Sequence, residues 1–371
     1  MSWKWTRTKW WVLIIIVVVG IGAMIFTMNN QRFYRQPIGQ VITVHNGQSH
    51  RTTDQFKNID HQTSQRLTVR IMNGHYQGQT AKVSNTYSDS QPMDQRFYHG
   101  NQIFLSQLHA NKRGQLMANA SGYKRDTVIV FLLWMVVLLL LVLMGTSGAF
   151  ALLSVVINGI LFILAIVIDL DNQGAHVLLT FGSLALAFAA ISLLLVLGPN
   201  KKMLATLLAT IVGTVISIMV GLFILELTHH RGVYYESMQY VTQVPRPLFI
   251  AEILLGSLGA VMDESSDIIA TLFELKQLNP AIGRWQLFMS GRNVGKSIMG
   301  PLVNVLFLIF MADTFTSSLL FLKNGNSWGY TFDMNMSLGM VQSLISGIGI
   351  VIVVPVVSAL GALLLGRRKS A

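Results

Sequence analysis

Apolar residues in this chain gather into blocks close to the roughly 20 residues that a helix needs to cross a bilayer, with only short polar pieces between most of them. That pattern constrains the fold more than any motif does, because a soluble surface has no place for so many uninterrupted apolar helices. The first block, residues 10–28, follows Lys4, Arg7 and Lys9. Seven more lie near 127–145, 148–168, 175–198, 203–225, 248–270, 298–322 and 338–364. Charged residues are 12% of the chain, about half the usual share for a soluble protein. One stretch, residues 29–126, has ordinary soluble composition. The expected fold class is an α-helical polytopic membrane protein with about eight transmembrane helices and a small extracytoplasmic β-rich domain.

Loop charge orients the bundle, since Lys and Arg accumulate on the cytoplasmic side. With residues 1–9 inside, the inner loops hold Lys201-Lys202, then Lys276, Arg284, Arg292 and Lys296, then the basic tail 367–371. The outer connections hold Asp169 and Asp171, a mixed 226–247 segment, and Lys323. The hairpin at Gly145-Thr146-Ser147-Gly148 carries no charge and does not discriminate. This gives a transmembrane anchor at 10–28, a domain at 29–126 outside, a helical domain at 127–366 of about seven spans, and both termini in the cytoplasm. A signal peptide cleaved near Gly22-Ala23 is the alternative for the first block, but its apolar stretch exceeds the ~7–15 residues of such signals.

Within 29–126, Val41-Ile42-Thr43-Val44, Leu67-Thr68-Val69-Arg70-Ile71, Ala81-Lys82-Val83 and Gln102-Ile103-Phe104-Leu105 read as half-buried strands. Asn73-Gly74, Gln77-Gly78 and Gly100-Asn101 are turn signals. A small β-barrel or sandwich is expected. The chain has no cysteine, so this domain folds by core packing alone, without disulfides or thiolate metal sites. Twelve Lys or Arg face five Asp here, a difference of +7. An anionic envelope polymer or lipid headgroups are the partners such a surface expects, beside the plainer alternative of a solvated basic surface. Nucleic acid is not expected, because no basic stripe interleaves with aromatics.

The helical domain concentrates its ionisable residues between Pro247 and Asp313. Glu252, Gly256, Gly259, Asp263, Asp267, Ala270 and Glu274 follow at steps of four, three, four, four, three and four, which places them on one face of a helix. Ionisable groups at membrane depth normally face a bundle interior or a water-filled cavity. Two readings stay open. Gly256 and Gly259 allow close packing while acids beyond Val261 sit in cytoplasmic water, or Glu252 and Asp263 bind a cation or relay protons.

Ser290-Gly291-Arg292-Asn293-Val294-Gly295-Lys296-Ser297 invites comparison with a phosphate-binding loop. Only three residues separate Gly291 from Gly295, whereas that loop needs four, and no buried strand precedes it. A flexible basic connection is expected instead, with Pro301 in the first turn of the next helix and Asn304 in its apolar body, gluing helices or lining a site. Pro355 is expected to kink the last span. His229-His230 lies near Glu226 and Glu236, where solvation is the plainer reading than metal binding. No His-Glu-x-x-His or Gly-x-Ser-x-Gly pattern occurs, and no cofactor is implied.

Gly259-Ala260-Val261-Met262-Asp263, Glu274-Leu275, Asn279-Pro280, Ser290 to Gly295, Met299-Gly300 and Asn304 together resemble the core of the YibE/F family. So does the layout of anchor, external β-domain and polytopic bundle. The resemblance gives weight to Gly259, Ser290, Gly291, Asn293, Gly295 and Gly300, while Gly256 and Asp267 take theirs from the stripe of Glu252 to Glu274; it implies a bacterial cytoplasmic-membrane protein without fixing its activity. The chain departs from the family pattern at Glu264-Ser265-Ser266-Asp267, where small or apolar residues are usual, and at Gly295-Lys296-Ser297, where Gly-Arg-Asp is usual.

Two functions follow as expectations. One is a transporter or permease whose acidic intramembrane site, Glu252, Asp263 and Asn304, takes a cation or proton-coupled solute; a helix broken by glycines and a Gly-rich loop would serve it. The other is an accessory or scaffold whose external domain binds wall polymer, lipid or a membrane partner, as a homo-oligomer or with a related subunit. An intramembrane enzyme lacks a nucleophile–base pair.

Overall fold

The structure, a computed structural model, describes residues 7–91, 94–112, 114–172, 174–238 and 245–365. Residues 1–6, the basic tail 367–371 and part of the 226–247 segment, all invoked for orientation, lie outside these. The chain divides into two compact units, residues 1–148 and 149–371.

The first unit carries helix α1 (Arg7–Asn29), five strands and helix α2 (Asp126–Met144). The strands are β1 (Ile38–Thr53), β2 (Ile59–Ile71), β3 (Thr80–Ser88), β4 (Gln102–Ala110) and β5 (Leu116–Tyr123). They close into a barrel in the order β1-β2-β3-β5-β4, with β1 returning to β4. All pairings are antiparallel except β3 with β5. That is the strand order of an OB-type Greek-key barrel, which decides between the barrel and sandwich expectations. Alternation builds it: Leu67, Val69 and Ile71 of β2 point inward while Arg66 and Arg70 point out. Val41, Val83, Phe97, Ile103, Leu105 and Leu116 complete the core.

Polar side chains lock the barrel ends. Asn73 donates to the carbonyls of Gln31, Tyr34 and Gln36 at 2.9, 3.0 and 3.1 Å and accepts from Ile38 N at 2.6 Å. A collar joins the barrel to the two flanking helices. Lys124 pairs with Asp126 at 2.8 Å and donates to the Thr27 carbonyl, and Asp126 also accepts from Asn30 and Tyr34. Farther along, the Trp134 indole of α2 donates to the Ile16 carbonyl of α1 at 3.1 Å. It lies over Gly20, where any Cβ would run into the ring.

The second unit is helical: most of α3 (Thr146–Asp171), then α4 (Val177–Leu197), α5 (Lys201–Leu227), α6 (Pro245–Leu278) and α7 (Arg284–Lys323). The short α8 (Trp328–Thr331) passes through a π-helical turn, Phe332–Met336, into α9 (Ser337–Leu365). Seven helical runs, α2 to α7 and Trp328–Leu365, are long and apolar enough to cross a membrane, which marks the chain as a membrane protein. The apolar part of α1, Leu13–Asn29, is shorter than these. Each apolar block anticipated from sequence lies within a helix, to within one or two residues at its ends.

Three expectations are corrected. The Ser290–Ser297 stretch is no flexible connection but part of α7, which runs unbroken for 40 residues. Pro301 accordingly sits within that helix and not in its first turn. Nor do Gly256 and Gly259 break α6, a single helix of 34 residues. The glycines are small for packing. A Cβ on Gly291 would stand 2.5 Å from Ser358 Oγ, and one on Gly295 would stand 2.5 Å from Val354 Cγ1. Both contacts are with α9, so the motif lets α7 lie close against it.

Candidate functional site

The site grows from a row of small residues on α5. Ala205, Thr206, Ala209, Thr210, Gly213, Thr214, Ser217 and Gly221 are buried there at helical spacing, the composition that lets membrane helices approach closely. A Cβ on Gly213 would lie 2.5 Å from Val353 of α9 and 3.0 Å from Val261 of α6. Three helices therefore meet at this depth. Ser217 fixes the level by donating to the Ile345 carbonyl of α9 at 2.9 Å.

The register of α5 against α6 follows from their clusters. Leu225, near the end of α5, packs with Phe249 and Ile253 at the start of α6. Ala205 and Ala209, at the start of α5, belong with Ile268, Ile269 and Leu272 far along α6. The helices run antiparallel, with Gly213 beside Val261. One turn farther, Thr210 stands at the level of Glu264.

Glu264 is 0% exposed, on the seam Ile253, Ser257, Val261, Glu264, Ile268, Leu272 that α6 turns into the bundle. Neither of its carboxylate oxygens has a hydrogen-bond partner among the described residues. The same holds for Ser265 Oγ, Thr210 Oγ1 and Thr214 Oγ1. Other buried hydroxyls nearby are satisfied within their own helix, as Thr206 on the Lys202 carbonyl, Ser257 on Leu254 and Ser358 on Val354. A buried polar atom without a partner is costly and rare. One carboxylate and three hydroxyls on the facing sides of α5 and α6 are thus enclosed without a protein partner among the described residues.

The residues expected from sequence sit elsewhere on the same helices. Glu252, Gly259, Asp263, Asp267 and Glu274 do share one face of α6, but it is the uncovered face, away from the seam that holds Glu264. Gly256 lies at the edge of that face against Gln342 of α9, whose Nε2 would be 2.7 Å from an added Cβ. On α7, Asn293, Gly300 and Asn304 are exposed and Ser290 is half-buried, whereas Gly291 and Gly295 are buried. Asn304 is thus not enclosed in the bundle as expected. Nor do all acids beyond Val261 sit in water, since Glu264 is enclosed.

With these positions fixed, comparison with known families becomes informative. A family model described as YibE/F-like protein matches residues 132–367, and one described as the YibE/F family N-terminal domain matches residues 32–123. The chain belongs to the YibE/F family. Comparison with curated proteins and with solved structures gave no match. The N-terminal domain of this YibE/F chain is the OB-type barrel, and its YibE/F-like region contains α3 to α9 with the Glu264 cluster. Among the described residues no group of three or more His, Asp or Glu is placed to hold a metal ion. His230 is instead engaged by Glu226 at 3.1 Å and Tyr235 at 2.9 Å. Burial, with Glu226 adding to it and Arg246 opposing, pushes the Tyr235 phenol above its ordinary value.

Proposed function

We propose that this YibE/F protein is a permease-like protein of the bacterial cytoplasmic membrane that moves a monovalent cation, or a solute coupled to one or to protons, through a site centred on Glu264. The observation that carries this reading is the enclosed carboxylate with both oxygens unpartnered, at the level of Thr210 and next to Ser265. A carboxylate at membrane depth needs a proton or a cation beside it. One carboxylate with hydroxyl oxygens suits a singly charged ion, since divalent sites gather more acidic ligands.

The topology proposed with it has eight spans, with α1 as the first, residues 29–126 outside and both termini in the cytoplasm. The Trp134–Gly20 contact supports α1 crossing alongside α2. The positions of Lys201, Lys202, Lys276, Arg284, Arg292 and Lys296 support the orientation. The uncovered face of α6 with Glu252 and Asp263, and the polar face of α7 with Asn304, belong to the same reading. Their polar groups need water or a neighbouring subunit beside them, which a homo-oligomer or a related subunit supplies.

Thermal unfolding of the purified protein against Na+, K+, Li+ and Mg2+ over a pH series tests the reading. A ligand of the folded state at a hundredfold excess over its Kd adds about 2.7 kcal/mol. One monovalent ion, or protons, raises the melting temperature of the wild type and of Asp263→Asn but not of Glu264→Gln. An identical response in wild type and Glu264→Gln sinks the Glu264 site and leaves the envelope-accessory reading.

A further inference from the structure

The outer face of the barrel carries a patch that a permease site does not use. On β2, Arg66 and Arg70 point outward four residues apart, about 13 Å along a strand. Lys82 of β3 pairs with Thr68, midway between them, and His45 of β1 pairs with Arg66 on the other side. Ser84, opposite Arg66, adds a hydroxyl. Arg66, Arg70, Lys82 and His45 are all exposed. Among the described residues none of them forms an ion pair. The acids of the barrel lie elsewhere, Asp54 and Asp60 toward the tip of the β1–β2 hairpin and Asp89 and Asp94 after β3. Like charges held this close on a rigid sheet repel one another, and a polyanion laid across them relieves that.

We propose that this face of β1, β2 and β3 is a docking surface for an extended phosphate-bearing polymer of the cell envelope. Guanidinium groups match phosphate oxygens bidentately, and the interleaved Thr68 and Ser84 hydroxyls donate to the same oxygens. The strand 2–3 side is also where OB-type barrels receive extended oligomers. Among the described residues β1, β2 and β3 expose no Phe, Tyr or Trp on which a row of bases could stack, in contrast to single-strand nucleic-acid sites. A flat lipid surface fits less well. The barrel joins its membrane helices at the Ile71 and Tyr123 end, through the collar around Asp126. The basic row leads from Arg70 at that end toward the far hairpin, so a bilayer reaches only its near edge while a strand of polymer follows its length.

The test uses the full chain in nanodiscs of neutral lipid and fluorescently labelled poly(glycerol phosphate), titrated at several salt concentrations. Wild type binds with a steep salt dependence, and R66Q/R70Q/K82Q loses affinity by roughly tenfold or more with a shallower salt slope. A control triple, R51Q/K57Q/K112Q, removes the same charge from the hairpin tip and the β4–β5 turn and stays within about twofold of wild type. Should the face triple fail to fold, the single variants R70Q and K82Q carry the test, each with a partial loss. The proposal is overturned by absence of wild-type binding at low salt or by equal losses in the two triples. Tighter binding to single-stranded DNA or to phosphatidylglycerol vesicles than to the polymer overturns it as well.

Discussion

The barrel and the helical bundle both bury polar side chains, and Gln65 in the first contrasts with Glu264 in the second. In the barrel, Gln65 is 1% exposed, and both ends of its amide are used. Its nitrogen donates to Asn46 and the Phe97 carbonyl, and its oxygen accepts from Phe97 N and Asn85. Asn73 is satisfied as completely. In the bundle, Glu264 and its neighbouring hydroxyls are enclosed as deeply and left without partners. A satisfied buried amide fixes one structure, whereas an unsatisfied buried carboxylate is free to take a ligand. The first kind of residue holds the fold, and the second is available for chemistry.

The sharpest way to break this contrast is to remove one residue from each side. Asn73→Ala deletes four hydrogen bonds and strands buried carbonyls, so it is expected to destabilise the barrel by about 3–4 kcal/mol. Limited proteolysis of the full chain should then cut within residues 38–123. Gly213→Val attacks the bundle sterically, at a position where the first added carbon already meets Val353 at 2.5 Å. The expected cost is about 1–3 kcal/mol, read as a lower melting temperature with the barrel still protected from protease. Glu264→Gln should fall below both. Breaking a buried ion pair costs about 3–5 kcal/mol, but Glu264 has no such partner, so the amide should stay within about 1 kcal/mol of wild type in ion-free buffer. A large loss there would place Glu264 among the residues that hold the fold.

Sequence patterns marked the apolar helices and the β-rich region, because a bilayer sets the length of an apolar run and a half-buried strand sets an alternation. Four of the five strands were anticipated. β5, Leu116-Met117-Ala118-Asn119-Ala120-Ser121-Gly122-Tyr123, was not, since two of its inward residues are alanines too small to mark an alternation. The site was harder to see. Acids at Glu252, Asp263 and Asp267 declare themselves by helical spacing, yet that spacing does not say which way the face turns. Glu264 falls off the stripe and on the seam Ile253, Ser257, Val261, Ile268, Leu272, where one carboxylate interrupts residues that are otherwise apolar or small. Following the seam and not the stripe would have found it. The α7 motif misled for a related reason. Gly291 and Gly295 read as loop formers, while their role is the close approach of α9, and no local signal distinguishes the two.

The smallest effect comes from a polar group of the barrel that is satisfied but not buried. Asp60 accepts hydrogen bonds from Ser90 Oγ, from His61 N at 2.8 Å and from Ser90 N at 3.4 Å. The Ser90 hydroxyl, first among these, holds the Asp60 carboxyl below its ordinary value. A carboxyl depressed in the folded state stabilises it above the unfolded pKa, near 3.9, and this contribution fades as pH falls through the lower folded value. Protection against hydrogen exchange at the β2–β3 edge, measured relative to the intrinsic rate at each pH, should therefore fall below about pH 4 in the wild type. Ser90→Ala should raise the pKa of Asp60 toward its ordinary value, followed by carboxyl-carbon NMR of aspartate-labelled protein, and shrink the acid effect. Asp60 is solvent-facing, so water competes for every one of these bonds and the change is confined to the local edge. An acid response as large as that of Asn73→Ala would mean that exposed and buried hydrogen bonds weigh alike in this barrel, and the contrast between satisfied and unsatisfied burial would lose its meaning.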